Sequence, residues 1–351
     1  MTEKAKKRLE YDVVIVGSGP AGAAAARTLV ECGWRVAILE KKKLPRYKIC
    51  SGLIVDRSQN MIEERFGSLP ESVFCRPKLL KGARMCPADD TMIEVPAEGS
   101  GILNVWRSEF DHWLVQQSGA DILDEHEMID FEGTGDKVDI RVRRTKEAPF
   151  LIEASYLIGA DGAGSHVRRL LDPDFVKQIR YSIPTQLYCI GTINLEREYY
   201  YGFLDPSFSA FYAWLNFKDD YLVYGVAARK GDRIEPYLKK FTEYLEENFQ
   251  LKIEKVVRKT GCMGSDMGIK GNFILGHDRV LLVGEAAGFM NAFGEGISSA
   301  LATGHIAAEA ILQAKTLKES AISLYRALAE PEQKMTTESW EMARAVAGRG
   351  F

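Results

Sequence analysis

Apolar residues run unbroken from Val13 to Val16 behind Tyr11-Asp12, and the run stops at Gly17. A short continuous apolar stretch ended by glycine predicts a buried strand over 11–16. The alanine-rich segment 21–32 predicts a helix, and 35–39 a second strand closed by Glu40. Strand, helix and strand within roughly thirty residues form a βαβ start, which calls for a parallel sheet.

Further along, 41–52 is basic and irregular, and 53–66 reads as a helix. Short strands are predicted within 78–96. Phe110, Trp113, Leu114 and Gln117 recur at helical spacing and place an amphipathic helix over 107–118. A core strand follows at 121–123. Alternation in Val138-Asp139-Ile140-Arg141-Val142 marks a β-meander over 127–156, and 157–160 returns to the core. Aromatic and β-branched residues dominate 183–228 and predict an antiparallel sheet. Helices are expected at 233–248, at 297–315 with many small residues, and from Ser320 onward, with a last buried strand at 280–283. The β-rich blocks interrupt the α/β blocks, so the domains should be discontinuous. One comprises 1–75, 104–180 and 260–315, a second 76–103 and 181–259, and a helical tail covers 316–351.

Composition narrows the partners. The chain has 351 residues and a net charge of −3, which argues against nucleic acid. The six cysteines form no CxxC pair, and the five histidines show no i+3 or i+4 pairing, so no metal site is expected. No run of eighteen apolar residues spans a bilayer. The charged start has no leader-like apolar core. A reducing, cytoplasmic location is expected. The basic cluster from Lys4 to Arg8 leaves peripheral contact with an anionic surface open.

Gly17-Ser18-Gly19-Pro20-Ala21-Gly22 follows the first strand, opens the first helix and precedes Glu40 at the end of the second strand. This context turns a common glycine pattern into a dinucleotide fingerprint. Gly17 permits the turn, Gly19 lets backbone approach a pyrophosphate, and Gly22 lets helix and sheet pack closely. Pro20 and Ala21 open the helix whose N-terminus favours phosphate. Glu40, followed by Lys41, can accept from ribose hydroxyls.

Two later segments separate FAD from NAD. Leu157 to Arg169, with Ala160, Asp161 and Gly162 at its centre, resembles the aspartate-glycine motif of FAD-dependent hydroxylases and their relatives. Val280 to Gly288 resembles their second FAD motif, with Glu285 between Gly284 and Ala286 where aspartate is usual. Arg107 resembles the arginine that contacts FAD from a helix. Asn291 to Ile297, containing Gly294 and Gly296, resembles the loop before the final FAD helix, whose N-terminus stabilises charge on a reduced flavin. The resemblance implies an α/β, Rossmann-like FAD-binding domain of the p-hydroxybenzoate hydroxylase type. An inserted antiparallel-sheet substrate domain and a helical C-terminal tail complete it.

Within that superfamily the chain resembles the geranylgeranyl reductase family. Tyr47 to Gly52 is similar to a segment that lies beside the flavin and contains Cys50, Ser51 and Gly52. Tyr212-Ala213-Trp214-Leu215-Asn216-Phe217, followed by Gly225 and Ala227, resembles the family's aromatic signature, with Asn216, Phe217 and Ala227 as departures. Cys50, Tyr212 and Trp214 are the catalytic candidates, and aromatic walls suit a long apolar, prenyl-type substrate. The resemblance implies reduction of isoprenoid carbon–carbon double bonds by hydride from reduced FAD. A flavin monooxygenase shares every FAD motif and is the alternative. An electron-transfer flavoprotein feeding a quinone is a second, although no four-cysteine cluster motif is present. A flavin halogenase would need a WxWxIP-like segment, and 212–217 holds one tryptophan. With no second GxGxxG, electrons are expected from NAD(P)H or a ferredoxin-like donor protein.

Overall fold

The computed structural model describes residues 8–89, 91–292 and 294–347. The basic residues Lys4, Lys6 and Lys7 lie outside the described residues, as does Phe293 of the glycine loop.

The first sheet has eight strands. Its main path runs Gly276–His277, Val280–Leu282, Phe150–Gly159, Arg8–Val16, Val36–Glu40, Asp121–Asp124. From Val280–Leu282 to Asp121–Asp124 the neighbours are parallel. Val13, Val14, Ile15, Leu157 and Ile158 are fully buried in it, as a parallel sheet covered on both faces demands. The last strand of the meander and the core strand after it are one element, Phe150–Gly159. Its first half pairs antiparallel with Val138–Arg144, while its second half pairs with Val280–Leu282. Helices Pro20–Glu31 and Ile297–Leu317 pack against each other, and Thr28 Oγ1 lies 3.0 Å from His305 Nδ1 across the contact.

The second sheet follows the order Lys252–Gly261, Tyr181–Thr192, Tyr221–Arg229, Ala213–Lys218, Tyr199–Phe203, Gly82–Cys86, Ile93–Pro96. It is largely antiparallel. The pair Tyr199–Phe203 with Gly82–Cys86 is parallel, because these strands are far apart in sequence and no hairpin dictates their direction. One face carries Tyr201, Leu215, Tyr224 and Leu187 in a cross-strand row. That face closes on helix Glu235–Phe249 through Leu238, Phe241 and Leu245.

A small sheet of Leu53–Ile54, Ile102–Val105 and Phe74–Leu80 lies between the two. Boundaries drawn at 75/76 and 103/104 pass through it. The segment 53–66 thus begins as a two-residue strand before helix Asp56–Phe66. The last helix, Ala321–Ala347, is tied to the rest of the chain. Tyr325 donates to the Leu282 carbonyl at 3.0 Å, Trp340 Nε1 to the Met290 carbonyl at 2.8 Å, and Arg57 forms a two-pronged pair with Glu332. Among the described residues no helix is long and apolar enough to cross a membrane.

Candidate functional site

The turn after Arg8–Val16 is made by Gly17 at φ +112°, where a Cβ would stand 2.4 Å from the Ala160 carbonyl oxygen. A Cβ on Gly22 would stand 2.1 Å from the Gly17 carbonyl oxygen. No other residue type fits either position. Gly19 is the N-cap of helix Pro20–Glu31, no side chain caps that helix, and its first turn holds no acidic residue. A Cβ on Gly19 would face open space, the nearest atom being Arg46 Nη2 at 3.9 Å. Ala21 is buried below the turn.

Glu40 ends the second strand and accepts from Ser18 Oγ (2.6 Å), Arg46 Nε (2.8 Å) and the Lys42 amide (2.9 Å). Burial alone would raise its pKa, but Arg46 and these hydrogen bonds outweigh it and hold the carboxyl below its ordinary value. Arg46 also reaches Asp111 at 3.1 Å, and Asp111 takes both prongs of Arg107. Asp111 is likewise held low: burial opposes ionisation, and Arg107 and Arg46 overcome it. Lys41 beside Glu40 is exposed.

Asp161 Oδ2 accepts the His166 and Val167 amides at 2.6 and 3.2 Å. Its Oδ1 is buried and has no partner. A Cβ on Gly162 would meet nothing within 4 Å. Gly284, at φ +56°, donates to Thr303 Oγ1 at 2.9 Å. Glu285 has its pKa raised by burial, against the pull of Lys48 and Arg168. Arg168, fully buried, donates to the carbonyls of Ala163, Ala286 (2.6 Å) and Glu285 (3.4 Å). It therefore ties the aspartate-glycine loop to the Gly284–Ala286 turn.

The N-terminus of helix Ile297–Leu317 follows Gly294 and Gly296. Glu295 already accepts the Ser298 amide there at 2.8 Å, and burial raises its pKa. The helix end is thus partly served by a carboxyl group, which the sequence pattern did not disclose. Ile297 is buried.

Cys50, Ser51 and Gly52 cross from the dinucleotide side to the second sheet. The Gly52 amide lies 3.3 Å from Cys50 Sγ, and the Arg107 guanidinium is close enough to act electrostatically on the same thiol. The sequence places Lys48 and Arg46 beside Cys50 as the cations that could acidify its thiol; in the structure Arg107 acts on it, and Arg46 is engaged by Glu40 and Asp111. Asn216 Nδ2 donates to the Ser51 carbonyl at 3.4 Å. Tyr200 lies 3.3 Å, hydroxyl to hydroxyl, from Tyr212, with Ser51 close by. Burial pushes both phenols up, so they stay protonated. A Cβ on Gly294 would stand 3.4 Å from the Tyr212 hydroxyl, which brings the sheet to the glycine loop. Trp214 is edge-on to Tyr212, their centroids 6.2 Å apart.

The expected residues thus fall into two groups. Gly17 to Gly22, Glu40 and Ala160 to Gly162 surround the turn. Cys50 to Gly52, Arg107, Glu285, Tyr212, Trp214 and Gly294 to Ile297 converge between the sheets. Lys41 joins neither through its side chain. Sequence reasoning did not assign site roles to Arg168, Tyr200 or Lys218. Lys218 is buried beneath Gly52 and donates to Asn104 Oδ1 (2.9 Å) and the Val105 carbonyl (2.7 Å), and burial lowers its pKa. A lysine ending a strand of otherwise uncharged residues was the signal that could have found it.

These residues fit FAD. The uncapped helix start and the open side of Gly19 suit a diphosphate, and the unmet Asp161 Oδ1 and the Glu40 carboxylate suit hydroxyl donors. A family model described as "FAD binding domain" matches residues 10–321. Protein CbrA of Escherichia coli O157:H7 is 30% identical over 312 residues, covering 86% of this chain and 84% of its own length. A geranylgeranyl bacteriochlorophyll reductase-like protein of Thermoplasma acidophilum superposes with a TM-score of 0.83 at 21% identity, over 97% of this chain and 89% of that one. The myxobacterial chondrochloren halogenase CndH does so at 0.74 and 17%, over 96% and 82%. The chain therefore belongs to the FAD binding domain family and is an FAD-dependent oxidoreductase of the p-hydroxybenzoate hydroxylase-like type.

Proposed function

We propose that the chain reduces carbon–carbon double bonds of an isoprenoid chain. The observation that carries this reading is the convergence of Cys50, Tyr212 and Trp214 with the Gly294–Ile297 loop, where the ring end of a dinucleotide held at Gly17–Gly22 would arrive. Likeness to the geranylgeranyl bacteriochlorophyll reductase-like protein across nearly the whole chain supports it.

Bound FAD in its reduced form supplies the hydride, and an NAD(P)H or ferredoxin-like donor restores it. The chain's own residues do the rest. Main-chain amides at the first helix hold the diphosphate, and Glu40 and Asp161 hold hydroxyls. Cys50 delivers the proton to the carbon next to the hydride acceptor and regains one from solvent, so the bond gains two hydrogens. The Arg107 guanidinium, held by Asp111, acts electrostatically on the thiol. The Tyr200–Tyr212 pair, with Trp214, walls the reacting region and excludes water.

The test is anaerobic incubation of the FAD-loaded, dithionite-reduced protein with a prenyl alcohol, read by mass spectrometry. A gain of two hydrogens per double bond is expected. No gain with any prenyl substrate overturns the reading, and oxygen incorporation under air would assign hydroxylation instead.

A further inference from the structure

Three polar atoms on one face of the second sheet lack a hydrogen-bond partner: Gln186 Oε1, Trp214 Nε1 and Asn216 Oδ1. Their residues are only 1%, 8% and 0% exposed. The register brings them together. Gln186 stands opposite Gly225, and Gly225 opposite Trp214. Gly225 has no side chain, so the indole lies across it, with Cζ2 2.5 Å from where a Cβ would be. The ring therefore bridges toward the Gln186 strand. Asn216 is two residues beyond Trp214 and faces the same side. Its amide nitrogen is committed to the Ser51 carbonyl, which leaves its oxygen as the unmet atom. The Gln186 amide nitrogen is likewise committed, to the Tyr188 hydroxyl at 2.9 Å.

A buried polar atom left unmet is unfavourable, having lost its water without a replacement. Such groups are rare in folded chains, and three in adjoining positions call for an explanation. The patch borders Ser51 and the Cys50 loop. The opposite face of the same strands is closed by apolar contacts with helix Glu235–Phe249. None of the three atoms touches solvent, so a ligand reaches them only with side-chain movement on this face.

The atoms define what would satisfy them. There is one donor and two acceptors, all uncharged. A hydroxyl accepts from Trp214 Nε1 and donates to an amide oxygen. A carboxylate or phosphate only accepts, and would be set against two oxygens. A bare hydrocarbon satisfies none of them. We propose that this patch binds an uncharged hydroxyl of the substrate. The substrate is then a prenyl alcohol rather than a prenyl phosphate or hydrocarbon. The prenyl part rests on the function proposed above, and the hydroxyl does not.

The experiment is an equilibrium titration of the FAD-loaded protein, followed by flavin absorbance, with a twenty-carbon prenyl alcohol, its methyl ether and its monophosphate. The alcohol should bind about tenfold or more tighter than either, the equivalent of about 1.4 kcal/mol. Trp214→Phe removes the N–H and keeps a ring, and Gln186→Met keeps the length without the amide. Gln186→Met should bring the alcohol's affinity down to that of the ether, and Trp214→Phe should weaken alcohol and ether alike. FAD content reports whether each variant is folded, and two variants on different strands guard against one failing. Equal affinity for alcohol and ether, a preference that survives Gln186→Met, an alcohol affinity that Trp214→Phe leaves unchanged, or no binding of any of the three overturns the proposal. A preference for the alcohol without hydrogen gain in the anaerobic assay would leave the hydroxyl site standing and remove the reductase reading. Hydrogen gain without preference would do the reverse.

Discussion

The dinucleotide turn and the inner face of the second sheet are built on opposite plans. Around Gly17–Gly22 the ionic side chains are matched within the chain: Arg46 joins Glu40 to Asp111, and Arg107 grips Asp111. What is left for a ligand there is mainly backbone amides. On the sheet, the backbone is consumed by strand pairing, and what is left is side chains: Gln186, Trp214 and Asn216 with unmet atoms. A backbone cradle suits a group present in every turnover cycle. A side-chain surface can be tuned to one substrate without disturbing the cradle.

The contrast can be broken most severely at the turn. Gly22→Val should abolish FAD retention and cost about 3 kcal/mol by overpacking, because its Cβ would meet the Gly17 carbonyl at 2.1 Å. Absorbance of the purified protein and thermal melting check this. On the sheet side, Cys50→Ala should leave FAD content unchanged and slow reduction about a hundredfold, the usual scale for losing a general acid. Single-turnover kinetics separates the two outcomes.

Acid should divide the regions by sign. Glu40 and Asp111 have lowered pKa values, so the stability they contribute is present at neutral pH. It is lost as pH falls below the ordinary carboxyl value, 4.5 for Glu40, and through the lowered native values. Glu285 has a raised pKa, so its contribution runs the other way. The native state favours the protonated carboxyl, and stability declines as pH rises from 4.5 toward the raised value. Melting temperature against pH should therefore flatten on its acid limb in Glu40→Gln and above pH 4.5 in Glu285→Gln. The smallest effect is expected from Tyr200→Phe, which removes the hydrogen bond to Tyr212. A loss of about 1 kcal/mol in melting experiments is expected, with FAD retained.

The same contrast explains what the sequence disclosed. The turn is local: strand, glycines, helix and Glu40 lie within a few dozen residues, and the spacing carries the geometry. The parallel sheet was legible for the same reason, from continuous apolar runs such as Val13–Val16. The sheet face is non-local. Gln186, Gly225 and Trp214 meet only through cross-strand register, which no spacing along the chain reveals. The partnership of Arg46 with Asp111 spans sixty-five positions, and Arg168 reaches Ala286 across more than a hundred. The parallel pairing of Tyr199–Phe203 with Gly82–Cys86 was hidden likewise. Within Asn291–Ile297 the glycines were visible, but the Glu295 cap on Ser298 was not, because capping depends on side-chain direction.

The most direct test of this two-part arrangement is a crystal structure of the chain grown with FAD. The account predicts the diphosphate on the amides of Gly19–Gly22 and the isoalloxazine between Cys50–Gly52 and the Gly294–Ile297 loop, with Tyr212 and Trp214 at its edge. A flavin ring lying away from the second sheet, or a turn at Gly17–Gly22 with no diphosphate, would contradict it.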